Sequence, residues 1–395
     1  MQLKLIEHAW RKAWVRILSR ALARTRGSRS SRTAGKGRVL FLRPDRIGDM
    51  IVSTGVLHAI TESNPAIELH VLASPANAPV ARGQPFIREV IVFDRKRPWR
   101  WPAMLVRLRA ADYDAVVDCM PTAPSVTMLL LMGASGARVR IGVAGRGNDH
   151  AFTTAVPPRP GARHIIDHLS ALASAFGVDI GGRQFPPRLS LTSGERARAV
   201  ATWHGAVPHT GATRRLLVNV SAGKAARHWP EERFVEILAL VRRRFPEVQP
   251  LVIGGTSEAS RTLAIARAAG VATASTPTFR EALALVATAD VVLSADTGLA
   301  HAAAAFRRPA IVLHRRGSSE RWGLYGAPGT AIECEGESLS SLAVAPVWHA
   351  LESLLCLETP SATARSRATA GLLQMDNDHA IRASHTIDRR VLRPR

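Results

Sequence analysis

What most limits the fold of this chain is its rhythm: short apolar, β-rich runs alternate with amphipathic helical stretches, and the pattern occurs twice. In the first half, Val39–Arg43, Glu68–Ala73, Glu89–Phe93, Ala115–Cys119 and Val139–Val143 read as strands, with helical patterns near 50–63, 101–110 and 122–133. A helical stretch near 163–177 and breaks at Pro186-Pro187 and Thr192–Gly194 follow. The rhythm then restarts, with strands at Leu216–Val220, Pro250–Ile253, Val291–Ser294 and Ala310–Leu313 and helices near 231–244, 256–269, 278–288 and 298–306. Such alternation marks α/β layering. The unalternated pair Val116-Val117 predicts a strand buried on both faces, as in a parallel sheet. The expected fold is α/β, with two Rossmann-like doubly wound domains facing across a cleft, one over 38–190 and the other over 191–358. A basic extension over 1–37 and a disordered tail over 359–395 flank them. Ligands in such sheets bind beyond the carboxyl ends of the strands, so the loops there should carry the chemistry.

Charge then narrows the function classes. The chain has 53 Lys and Arg against 31 Asp and Glu, a formal net charge of +22. Residues 1–38 contribute +10 and residues 360–395 contribute +4, which leaves +8 for the body between them. Only five of the 53 basic residues are Lys, a bias that base composition explains as well as any partner does. A basic nucleic-acid-binding protein is one alternative, since the tails would attract phosphate. Nothing resembles a recognition helix or an RNA-stacking motif, however, so no specific nucleic acid is expected. Cys119, Cys334 and Cys356 lie too far apart for a metal site or a disulfide framework, which points to a reducing compartment. The longest apolar run, Val126–Met132, is far short of the ~18 residues of a membrane span. A cytoplasmic protein is expected.

The extension has a pattern of its own. Leu3, Ile6, Trp10, Ala13, Trp14, Ile17, Ala21 and Leu22 recur at helical spacing, while Lys4, Arg11, Lys12, Arg16 and Arg20 take the flanks. A helix of this kind over residues 1–25 can lie on an anionic membrane surface, or pack on its own protein or a partner. The loop Asp94-Arg-Lys-Arg-Pro-Trp99-Arg-Trp101 mixes four cations with two Trp and presents the same choice.

Three loops carry the candidate chemistry. The first strand ends in Arg43-Pro-Asp-Arg46-Ile-Gly48-Asp49, directly before a helix. Asp49 falls near that helix's N-cap, where it either satisfies free N–H groups or takes a proton from a substrate hydroxyl. In the second half, Asn219-Val-Ser-Ala-Gly223-Lys224-Ala-Ala-Arg227-His228-Trp229-Pro230 follows a strand and opens a helix. Its small residues and cations suit a diphosphate, with a solvated basic loop as the plainer alternative. The third, Ser294-Ala-Asp296-Thr297-Gly298-Leu-Ala-His301, places backbone donors at a helix N-terminus with a His one turn on. No phosphate-binding loop ending in Gly-Lys-Ser/Thr and no Gly-x-Ser-x-Gly elbow is present. Asp112-Tyr113-Asp114 has the outline of a metal-binding pair, but its place before a buried strand favours a turn. No metal site is expected.

Together these loops resemble glycosyltransferase family 9, the ADP-heptose:lipopolysaccharide heptosyltransferases, over roughly residues 38–358. The resemblance rests on Arg43…Ile47-Gly48-Asp49, on Lys224…Arg227-His228-Trp229-Pro230-Glu231, and on Ser294-Ala-Asp296-Thr297-Gly298-Leu299-Ala300-His301 trailed by Trp322-Gly-Leu-Tyr325-Gly326-Ala-Pro328. It implies the GT-B fold and an inverting, metal-independent glycosyltransferase that uses no cofactor. Its partners would be a nucleotide-diphosphate sugar such as ADP-heptose and a lipid-linked saccharide acceptor at the cytoplasmic face of the inner membrane. By position, Asp49 matches the family's general base. Asp296, Thr297, Gly298 and His301 match the donor-diphosphate loop. Arg227 stands where the family usually has Lys, so the phosphate contact falls to Arg227 or Lys224. Arg43, Arg46 and Asp118 are the acceptor-side candidates. A sugar-nucleotide epimerase or hydrolase in the same cleft is the competing enzyme reading.

Overall fold

The computed structural model describes residues 2–24, 37–121, 123–206 and 214–357, with side chains from Trp10 onward except Arg11. The expected tail over 359–395 lies outside the described residues. Two six-stranded sheets form the framework, and every strand pairing is parallel. The first contains β1 (Gly37–Arg43), β2 (Ile67–Ala73), β3 (Glu89–Val92), β4 (Ala115–Asp118), β5 (Val139–Val143) and β6 (Thr154–Val156) in the order 3-2-1-4-5-6. The second contains β7 (Arg214–Asn219), β8 (Val248–Ile253), β9 (Ala272–Thr273), β10 (Val291–Ala295), β11 (Ala310–His314) and β12 (Gly329–Glu333) in the order 12-11-10-7-8-9. Counted within its own domain, that is the same order. Each sheet therefore reverses between its first and fourth strands, and the loops leaving β1, β4, β7 and β10 open at those switch points.

The central strands form because their runs are apolar on both faces. All four residues of β4 and all five of β10 are buried, as helices covering both sides require. Three strands lay outside the sequence expectation: β6, β9 and β12. Each is a short edge strand with few apolar positions, and β12 is exposed at all but Ile332. An edge strand buries little, so it leaves no periodic signal. The stretch near 163–177 also differs from a single helix. An α-helix over Ile165–Ser170 tightens into a 3₁₀ segment over Ala171–Phe176, ended by Gly177 at φ +74°. Asp112, at φ +46°, makes the turn before β4, and Asp114 accepts the Arg38 amide proton at 3.0 Å. Asp114 thus holds the start of β1, while Asp112 only makes the turn.

The domains share one continuous apolar core, which runs from Val39 and Phe41 through Phe176 and Phe185 to Leu283 and Val292. Polar contacts fix the domains across it. His164 donates from Nε2 to the Gly323 carbonyl at 3.1 Å, and the Tyr325 hydroxyl donates to Asp167 at 2.6 Å. The connecting segment crosses the helix Ile47–Ser63 so closely that a Cβ on Gly55 would lie 2.2 Å from the Pro186 carbonyl oxygen. The N-terminal helix, Gln2–Arg24, sits on the first domain against the helix Val126–Ser135 and the turn Asp149–Ala151.

Candidate active site

The loop after β1 turns into the helix Ile47–Ser63 with Arg46 at its N-cap. Asp49 is therefore the third helical residue rather than the cap. One carboxylate oxygen accepts the Arg46 amide proton at a long 3.4 Å, and the other lies 3.6 Å from Arg43 Nη2. At 17% side-chain exposure it is held in place yet still reachable from the cleft.

Arg43 and Asp118 take different places from those expected. Both side chains are only 2% exposed, so neither meets an acceptor directly. Arg43 donates from Nε to the Asp49 carbonyl at 3.0 Å and from Nη1 to the Cys119 carbonyl at 2.5 Å, and pairs with Asp45 at 3.0 Å. It ties the ends of β1 and β4 to the first turn of the Asp49 helix. Burial pushes the Asp118 carboxyl up to about 7, against the opposing pull of the Met120 amide and the Arg43 guanidinium. Burial also raises Asp45, in contact with Arg43. Arg46, by contrast, is exposed at the mouth.

The loops after β7 and β10 meet across the second switch point. Asn219, buried at the end of β7, donates from Nδ2 to Ser294 Oγ at 2.9 Å and to Thr297 Oγ1 at 3.2 Å. Thr297 caps the helix Gly298–Ala305 by accepting the Leu299 amide proton at 3.3 Å. The amides of that first turn face the carboxyl end of β10, where an anion is favoured. Arg227 anchors through Nη1 to Asp296, at 3.0 Å from its carbonyl and 3.1 Å from its carboxylate. Its Nε is buried without a partner. Lys224 is exposed on the same loop.

The two domains bring these parts together at a pair of glycines. A Cβ on Gly48 would come within 3.0 Å of His301 Cδ2, and one on Gly298 within 3.1 Å of Ile47 Cγ2 and 3.6 Å of the Gly48 amide nitrogen. The Asp49 helix thus abuts the Thr297–His301 turn directly. His301 is 6% exposed, and burial lowers its pKa despite the opposing influence of Asp296 and Asp49; Arg227 adds to the lowering. It is neutral at pH 7, with donor and acceptor nitrogens both available.

Sequence reasoning passed over Asn219, Asp45 and Glu258. Glu258 accepts the Ala222 amide proton at 3.3 Å and lies 3.2 Å from His228, which joins the second loop to the Gly254–Glu258 turn. Beside that turn is a cavity of about 170 Å³ lined by Gly254, Gly255, Thr256, Thr273 and Thr276. An Asn ending a buried strand was the available signal for the first of these; the role of Glu258 depends on contacts 36 residues apart in the chain.

Two doubly wound domains face each other, with a partly buried carboxylate on one and an Arg beside a helix N-terminus on the other, the arrangement of the GT-B fold. Residues 101–342 match the model of glycosyltransferase family 9 (heptosyltransferase), more than half of the chain. The chain belongs to that family. It is 24% identical over 285 residues to the lipopolysaccharide core heptosyltransferase OpsX of Haemophilus influenzae, covering 69% of this chain and 78% of the relative. Among solved structures it resembles a family 9 glycosyltransferase from Veillonella parvula, with a TM-score of 0.69 at 18% identity over 80% and 97% of the two chains. It also resembles the ADP-heptose lipopolysaccharide heptosyltransferase II of E. coli, with a TM-score of 0.66 at 19% identity over 81% and 98%.

Proposed function

We propose that this glycosyltransferase moves heptose from ADP-heptose to a lipopolysaccharide-core-type saccharide, with inversion and without a metal ion, at the cytoplasmic face of the inner membrane. The observation that supports the reading is the close approach of Gly48 to His301, which sets the first turn of the Asp49 helix against the Thr297–His301 turn. The names of the similar heptosyltransferases support the choice of donor and acceptor.

In this reading the acceptor hydroxyl oxygen attacks the anomeric carbon and the bond from that carbon to the diphosphate breaks. The hydroxyl proton passes to Asp49, and the bonding pair leaves with the diphosphate. Negative charge then grows on the diphosphate, where Arg227, Lys224, the Thr297–His301 turn and neutral His301 can meet it. Fixed donors of this kind contribute several kcal/mol, on the order of 3 for a single one. Asp296 anchors Arg227 through Nη1, which leaves Nη2 for the phosphates. Lys224 reaches in from the open side. The cavity beside Gly254–Thr256 takes the nucleoside.

The test is Asp49→Asn assayed with donor and acceptor. Transfer should fall roughly 10²–10⁴-fold, with donor affinity by calorimetry little changed. Near-wild-type transfer would overturn the general-base role. NMR of the product reports the anomeric configuration, and transfer in excess EDTA should match that in buffer. Donor turnover without acceptor would instead favour an epimerase or hydrolase.

A further inference from the structure

We propose that the outer face of the helical layer over the first sheet, together with the Trp99 loop, is a docking surface for an anionic phospholipid bilayer. The layer consists of the N-terminal helix, the helix Val126–Ser135 beside it, and the helix Trp101–Ala110 beyond. The sequence suggested one apolar stripe on the N-terminal helix; among the described side chains, from Trp10 onward, the structure divides the apolar residues between two faces. Val15 and Ser19 are buried, and Leu18 and Leu22 pack on the domain core. Arg140 donates to the Leu22 carbonyl at 3.0 Å, and Leu22 sits against Gly133. The helix is thus seated through one face, while Trp10, Trp14 and Ile17 stand outside at 64%, 48% and 56% exposure.

The other two helices of the layer add exposed apolar residues of their own, Leu130 on the middle helix and Val106 on the third. At the near end of the third helix, Trp101 turns inward, its ring 5.3 Å from Phe93 and its Nε1 donating to the Asp94 carbonyl at 2.9 Å. Trp99 turns outward and is 71% exposed. Cations frame the apolar groups: Lys12, Arg16, Arg20 and Arg24 on the helix, and Arg95, Lys96, Arg97 and Arg100 on the loop, all exposed. Trp10–Arg24 contains no carboxylate at all. Of these cations, Arg97 pairs with Asp94 at 3.5 Å. Tryptophan among Lys and Arg with so little compensating acid suits the headgroup region of an anionic bilayer. A protein partner of ordinary interface composition would not call for so many cations.

Placement agrees with this occupant. The Trp99 loop leaves the carboxyl end of β3, the same end of the sheet that carries Asp49. A bilayer seated there lies beside the cleft mouth, where a lipid-anchored acceptor would arrive. The proposal deepens the membrane setting proposed above but rests on this face alone, and its test uses neither donor nor acceptor. Failure of docking and failure of transfer are therefore separately visible.

The full chain should float with vesicles of phosphatidylethanolamine and phosphatidylglycerol in about a seven-to-three ratio, and bind phosphatidylcholine vesicles at least roughly tenfold more weakly. Raising salt to about 0.5 M should reduce binding to the anionic vesicles by a similar factor. The triple variant Trp10→Ser, Trp14→Ser, Trp99→Ser should lose about tenfold or more in vesicle binding, with its melting temperature and donor affinity unchanged. Arg16→Gln with Arg20→Gln should weaken binding while keeping the Trp residues. Equal binding to neutral and anionic vesicles, or wild-type binding by the triple variant, would overturn the proposal. So would self-association in vesicle-free buffer that the triple variant abolishes, which would make this face a protein interface.

Discussion

In the proposed reading, Asp49 carries two obligations. As the third residue of its helix it back-bonds to the N-cap amide, but at 3.4 Å that bond is long and leaves the carboxylate available. Arg43 supplies what the cap does not, by gripping the Asp49 carbonyl and standing 3.6 Å from its carboxylate. Arg43→Lys keeps the charge but loses the fork, so kcat should fall about tenfold with donor KM nearly unchanged. Arg43→Met leaves half-buried Asp45 without its partner and should cost about 1–3 kcal/mol of stability, read by denaturant unfolding. With the donor diphosphate held as proposed, Arg227→Met should raise donor KM more than Lys224→Met does, and Arg227→Lys should recover part of the loss. Equal effects at the two positions would remove the distinction drawn from Asp296.

At the scale of elements, two helical glycines are contact points rather than flexible spots. Gly→Ala inside a helix normally stabilises by up to about 1 kcal/mol. Gly55 should do the opposite, because its added Cβ would meet backbone of the connecting segment at 2.2 Å. Gly55→Ala should destabilise by roughly 1–3 kcal/mol in thermal or denaturant unfolding. Gly48→Ala meets only the edge of His301 at 3.0 Å, so the ring can shift a few tenths of an ångström. Its cost should appear in transfer rate and donor affinity, with little change in melting temperature. Gly48 was legible in the sequence as part of the first loop, whereas nothing local marks Gly55. The connecting segment that makes it indispensable lies 131 residues away.

For the whole molecule, acid should act on the joints between domains. His164 is neutral and buried with its pKa lowered to about 4, chiefly by desolvation, while its unfolded value is near 6.5. A His whose folded pKa is depressed binds more protons when unfolded. Its site thus loses stability as pH falls from about 6.5 toward 4. Glu195 pairs with Arg280, which also donates to the Ser190 carbonyl at 3.0 Å at the end of the connecting segment. Hydrogen bonding from Arg280 holds Glu195 at about 2. That contribution is complete above about 4.5 and disappears as pH falls through about 2. Melting curves across pH should show both windows, with His164→Gln flattening the upper one and Glu195→Gln the lower.

By itself the sequence determined the α/β class, the central strands and the three loops, because buried parallel strands and small or charged loop residues leave strong local patterns. Val116-Val117 and Thr297-Gly298 are legible for that reason. Short outer strands such as β9 and β12 are not, since they bury too little to impose a period. The tertiary structure alone decided which charged side chains face a ligand. Arg43 and Asp118 sit at the carboxyl ends of strands, where sequence logic places acceptor contacts. Both are instead closed into the interior, Arg43 against the Asp49 carbonyl and Asp118 under the Met120 amide. The same holds for the N-terminal helix: its spacing announced an apolar stripe, but only docking of Val15 and Leu22 on the domain determined that the two Trp would remain outside. A side chain's exposure depends on what folds against it, and that information is distributed over the whole chain.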